Sequence, residues 1–153
     1  MASFGTSCWV YADQLEKLLR FGSDSLGYYQ FLPAVFIEHD LQGMPWVTGL
    51  PDGRTLSIFS IGVALMQLPF FVLGHALAAW GGWEANGYST PYAVAQLFGA
   101  AFYLALSMVL LRRCLRMRLP GIPVWPSLLL LYLGTNLYYY TAFEAFMSHG
   151  YSF

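Results

Sequence analysis

Three short clusters combine ionisable side chains with aromatic or hydroxyl neighbours: Asp24 with Tyr28 and Tyr29; Glu38, His39 and Asp40; and Glu144 with Ser148 and His149. Carboxylates and imidazoles are the groups that exchange protons near neutral pH, so each cluster could serve general acid–base chemistry. All three lie beside long apolar stretches, where an ionised group is costly unless it faces a cavity or a partner.

Each cluster also has a plainer account. Asp24 follows Ser23 at a helix start, where a carboxylate accepts backbone N–H groups and meets the positive end of the helix dipole. Glu144 falls at the far end of an apolar stretch and opposes that dipole, so capping does not explain it, whereas snorkelling to an interface does. His149 is five residues further on, off the helical face of Glu144 unless the helix unwinds, and reads as an interfacial hydrogen-bonding residue before a metal ligand. The adjacent side chains of Glu38, His39 and Asp40 diverge and need a tight turn to share one ion. His75, in an apolar run with no acidic neighbour in sequence, reads as structural. The chain has no glycine-rich phosphate loop, nucleophile elbow, paired CxxC or HExxH motif, which argues against soluble nucleotide chemistry.

The elements that must position these residues follow from composition. Of 153 residues, 58% are hydrophobic and only 10% charged, too few to clothe a soluble domain in ionised groups. The fold class expected is all-α integral membrane. Seven Lys and Arg against eight Asp and Glu give a net charge of -1 and no electrostatic footprint for nucleic acid. Cys8 and Cys114 imply no disulfide framework, and the N-terminus lacks the basic start and cleavage site of a signal peptide.

Residues 1–22 read as an interfacial helix, with Leu15, Leu18 and Leu19 set against Asp13, Glu16, Lys17 and Arg20. Residues 23–57 begin as an aromatic-rich helical or extended segment that Pro33 should kink, then become an ordered loop over 37–57 rich in Gly, Pro and Asp. Residues 58–80 form an uncharged stretch carrying Gln67, Pro69 and His75, long enough to cross a bilayer. Residues 91–111 and 125–143 read as firm transmembrane helices, the first with Ala95, Gly99, Ala101 and Ala105 as a small-residue face for another helix. Between them, 112–123 holds Arg112, Arg113, Arg116 and Arg118, a loop expected on the cytoplasmic side. The tail 144–153 then lies on the opposite side. Hydropathy favours a crossing by 58–80, whereas a re-entrant or surface-lying helix would put Asp24 in the same compartment as Glu144 and His149.

Four ordered blocks, Ser23 to Leu41, Ile61 to Ala78, Asn86 to Gln96 and Leu133 to Phe153, together resemble the N-terminal part of bacterial polytopic glycosyltransferases of the GT-C class. That class includes the family 39 protein mannosyltransferases and the lipid A aminoarabinose transferases. The resemblance implies a partial GT-C helical bundle in the bacterial inner membrane that moves a sugar from a polyprenyl-phosphate donor to an unidentified acceptor on the non-cytoplasmic face. Asp24 matches the acidic residue that acts as base toward the acceptor hydroxyl. Tyr28, Tyr29, Glu144 and His149 would line the site; relatives carry a lysine element where this chain reads Ile58, Phe59 and Ser60, and Arg54 would substitute for that lysine near the donor phosphate. No cofactor is implied, and a divalent metal is left open.

The family also places an outer-side juxtamembrane helix where 58–80 falls, which favours the shared-compartment arrangement. It further has a membrane helix before the matching acid and more helices after the last block, so the chain is expected to be an N-terminal fragment, inactive alone. The competing expectation is a small non-catalytic membrane subunit or carrier component that associates through the Ala95 to Ala105 face.

Overall fold

The computed structural model describes residues 24–143 and 146–151. The expected interfacial helix over 1–22 and the side chain of Glu144 lie outside the described residues. Among the described residues the chain is mostly helical, and it divides into two compact units, Met1–Gln96 and Leu97–Phe153.

The first unit opens with α1 (Asp24–Tyr29) and α2 (Phe31–Pro33), which are followed by a π-helical turn, Ala34–Glu38. The expected disturbance at Pro33 takes this form: the chain continues past the proline, but the next turn is wider than an α-helix. His39 ends it in the left-handed region, with φ 55°, and its N–H and that of Asp40 both reach the carbonyl of Ala34. Asp40 Oδ1 then accepts the N–H groups of Gln42 and Gly43 at 2.8 and 3.1 Å, an Asx turn that stiffens the loop.

The loop after it contains a short antiparallel hairpin, β1 (Val47–Gly49) with β2 (Thr55–Ser57), in which Thr48 faces Leu56. Gly53, with φ 81°, supplies the turn. Helix α3 (Ile61–Gly81) follows, 21 residues and about 31 Å long, unbroken by Pro69. Its buried positions Val63, Gln67, Phe70, Gly74 and Ala78 recur at three- and four-residue spacing on one face. The other face is equally apolar yet exposed, with Leu65, Val72, Leu73 and Leu77 along it and Trp80, 88% exposed, at its end.

A tight loop leads into α4 (Thr90–Arg118), 29 residues and about 44 Å, which runs through the boundary between the units. Near its start α3 and α4 touch backbone to backbone. A Cβ on Gly74 would come within 2.8 Å of the Tyr92 Cα, so only glycine permits this approach. In the second unit, α4 continues with Phe98, Phe102, Leu106, Val109 and Leu110 exposed, and ends in Arg116 and Arg118, where cations favour the negative end of the dipole. Then come α5 (Val124–Gly134), α6 (Leu137–Ala142) and a 3-10 turn, Ser148–Gly150.

Among the described residues two helices, α3 and α4, are long and apolar enough to cross a membrane. Helix α3 contains no reversal of the kind a re-entrant hairpin needs. The expected single helix over 125–143 is instead interrupted at Thr135 and Asn136. Thr135 is extended, and its hydroxyl both donates to the carbonyl of Leu131 at 2.7 Å and accepts the N–H of Leu137 at 3.3 Å. That hydroxyl competes with the helical ladder and stops α5 after 11 residues, about 16 Å, short of a crossing.

Candidate functional site

The 24–41 block is held from beneath. Helix α1 buries Ser25, Leu26 and Tyr29 and leaves Asp24 exposed at its first turn. Gly27 is required by the ring of Phe59, which occupies the space a Cβ would take. Tyr28, four residues from Asp24 and therefore on the same helical face, is half-buried and meets Phe59 edge-on with centroids 5.0 Å apart. Phe59 also receives the Trp46 ring at 5.9 Å. Gln30 is buried and uses both ends of its amide: Nε2 donates to the Gly27 carbonyl at 3.0 Å, and Oε1 accepts the Trp46 N–H at 3.2 Å. One side chain thereby joins the helix bearing Asp24 to the loop leading into the hairpin.

Tyr29 is 0% exposed, and its hydroxyl donates to the Gly87 carbonyl at 2.6 Å. This bond ties α1 to the loop between α3 and α4, 58 residues away. Burial, with the Tyr88 and Tyr92 hydroxyls nearby, pushes the Tyr29 hydroxyl well above its ordinary range. The substrate-lining role expected of Tyr29 is thus replaced by a structural one: the ring is enclosed and its hydroxyl is engaged. Gly87 itself takes φ 84°, and a Cβ there would come within 2.8 Å of the Pro33 Cβ. The same loop is fixed by Asn86, whose Oδ1 accepts the Tyr88 N–H at 2.8 Å, and by Ser89, whose hydroxyl donates to the Glu84 carbonyl at 2.7 Å. Burial, and then the charge of Glu38, push the Tyr88 hydroxyl up to about 12.

Arg54 follows the hairpin turn and is well exposed. Its Nε donates to Asp52 Oδ2 at 2.7 Å and one terminal nitrogen lies 2.6 Å from the same oxygen. Hydrogen bonds from Arg54 hold the Asp52 carboxyl below its ordinary value. A phosphate at Arg54 would have to compete with this carboxylate. His149 sits exposed in the second unit with its ring 4.5 Å from that of Tyr140. Asp24, Tyr28 and Arg54 therefore belong to the first unit, and Glu144, expected beside them, is outside the described residues.

Composition and spacing did not single out the aromatic cluster around Phe71. Tyr29, Phe36 and Tyr92 pack on its ring at 6.0, 6.1 and 5.2 Å, and His75 stacks on it at 6.5 Å. His75 Nδ1 is hydrogen-bonded to the Tyr92 hydroxyl at 2.6 Å. This partner is 17 residues away, beyond any sequence-neighbour argument; the four-residue spacing of Phe71 and His75 is a local signal that could have pointed to two of the five rings. Phe36, Phe71, Val72 and His75 line a cavity of about 170 Å³. Gln96 Nε2 donates to the Gln67 carbonyl at 3.2 Å, two residues before Pro69, while the buried Gln96 Oε1 accepts no hydrogen bond. Among the described residues no three of His, Cys, Asp and Glu converge as a metal ion would require. No family model, curated protein or solved structure matches the chain.

Proposed function

We propose that the chain is embedded in a bacterial inner membrane and forms part of a glycosyltransferase of the GT-C kind, using a polyprenyl-phosphate sugar as donor. The membrane part of this reading is supported by the exposed apolar faces of α3 and α4, whose all-round hydrophobicity suits lipid as the solvent. The observation that carries the catalytic part is the setting of Asp24, an exposed carboxylate on a helix fixed from below by Tyr29, Gln30 and the Phe59 ring. A general base needs this combination of an accessible head and an immobile mount. Asp24 would take the proton of the acceptor hydroxyl as that oxygen attacks the anomeric carbon and the polyprenyl phosphate leaves. Arg54, exchanging Asp52 for the donor phosphate, would stabilise the leaving group.

The test is sugar transfer from a polyprenyl-phosphate donor in membranes from cells expressing the whole enzyme that carries this segment. Asp24→Asn should lower the rate about 10²- to 10⁴-fold while membrane yield stays at the wild-type level. Undiminished transfer refutes the base assignment. A non-catalytic subunit is the second reading, favoured by the exposure of Ala101 and Ala105 along α4. It requires that no transfer be found with either variant and that the chain co-purify with a partner lost on Ala101→Leu.

A further inference from the structure

On α4 the residues Ala101, Ala105, Met108 and Arg112 recur at four, three and four positions, so they form one stripe along the helix. The two alanines and Met108 face Trp125, Leu129 and Tyr132 of α5 across a cavity of about 310 Å³. This groove is open, since Ala101 and Ala105 are exposed and Leu129 and Trp125 are 58% and 63% exposed. From Ala101 to Arg112 the stripe rises about 16 Å, close to half of a 30 Å hydrocarbon core and so to the depth of one leaflet.

The end of the groove at Arg112 is electropositive. The Arg112 guanidinium lies 4.9 Å from the centre of the Trp125 ring, in a cation–π contact that holds it at the groove mouth. Its Nε is buried and makes no hydrogen bond, leaving a donor without an acceptor. Arg113, Arg116 and Arg118 follow within two turns, and among the described residues none of the four arginines has a carboxylate partner. An apolar channel one leaflet deep, ending in an arginine and three further unneutralised cations, complements a molecule with an apolar chain and an anionic head.

We infer that the α4–α5 groove binds an anionic phospholipid, with one acyl chain along Ala101, Ala105 and Leu129 and its phosphate at Arg112. Arginine suits this role because its planar fork can give two parallel hydrogen bonds to a phosphate. The other three arginines add attraction to an anionic surface without fixing a position. This inference rests on the membrane part of the proposed function and not on the transferase chemistry.

The experiment uses the full chain in vesicles of phosphatidylcholine containing a minority of brominated phosphatidylglycerol or, in parallel, brominated phosphatidylcholine. Bromine quenches tryptophan only at close range, and the Trp125 signal is obtained by subtracting the Trp125→Phe variant. Wild-type Trp125 should prefer the brominated phosphatidylglycerol about fivefold, the selectivity that one localised charge contact confers. Arg112→Gln should bring that preference close to one, and Arg113→Gln should leave most of it. Ala105→Phe, which fills the groove, should cut quenching of Trp125 by both lipids. Equal quenching by the two lipids in the wild type, or an unchanged preference in Arg112→Gln, overturns the inference. So does a Trp125 that neither lipid quenches while the remaining tryptophans are quenched, because a protein surface then covers the groove. If no tryptophan is quenched by either lipid, the membrane reading itself fails.

Discussion

Replacing Tyr29 by Phe removes one oxygen and leaves the ring, its packing on Phe71 and the local helix as they were. What is lost is the 2.6 Å bond to the Gly87 carbonyl. Both residues are buried, so water does not replace the missing donor. Leaving a buried acceptor unsatisfied costs about 1 to 3 kcal/mol, more than an ordinary exchange of one hydrogen bond for another. The bond also closes a loop of 58 residues, so its loss should loosen the segment carrying Asp24 and the loop around Gly87 together. Equilibrium unfolding in detergent reads the first effect, and amide hydrogen exchange over 24–34 and 82–89 reads the second. Tyr28→Phe is the internal control: it keeps the edge-on contact with Phe59 and should change stability by less than about 0.5 kcal/mol. If Tyr29→Phe is as stable as wild type, or if the two variants are indistinguishable, the Tyr29 bond does not anchor α1 and the mount assigned to Asp24 is wrong.

Gly74→Ala should destabilise by about 1 to 3 kcal/mol, because its Cβ would meet Tyr92 backbone that cannot move aside as a side chain can; thermal unfolding in detergent measures it, and a neutral result would mean that α3 and α4 separate freely. Raising the pH should destabilise the fold through the tyrosines. With its folded value raised from 10.0 to about 12, Tyr88 contributes stability that is complete below about 10 and lost as the pH climbs through about 12. Tyr88→Phe should therefore flatten the alkaline limb of a stability–pH curve, with Tyr29 contributing to the slope that remains. Asp52→Asn breaks the Arg54 pair but should leave the unfolding midpoint unchanged, because both partners are in water; a clear drop would show that the hairpin turn depends on that ion pair.

Helical class, the length of the apolar stretches and the basic segment were legible in the sequence because each depends on local composition or on a period of 3.6. The helix over 61–81 and the start of the next at Thr90 fall close to the boundaries read from hydropathy and Pro91. The turn chemistry of 37–57 appears as an Asx turn at Asp40 and a hairpin at Gly53. The division of 125–143 was not legible, since Thr135 sits in an apolar run and only its choice between the ladder and its own hydroxyl bonds stops the helix.

The roles of Tyr28 and Tyr29 show the same limit more sharply. Adjacent and chemically identical, they read alike in sequence, yet one lies half-buried on the face of Asp24 while the other is enclosed and bonded to Gly87. A helix turns by about 100° per residue, so neighbours face different surroundings, and only packing against Phe59, Phe71 and the Gly87 loop settles what each meets. By itself the sequence determined an apolar helical chain with carboxylates at its polar edges, because hydropathy and helical period are properties of neighbours along the chain. The tertiary structure decided which tyrosine is a strut, which carbonyl it holds and which arginine caps a groove, because those contacts join residues that no local pattern relates.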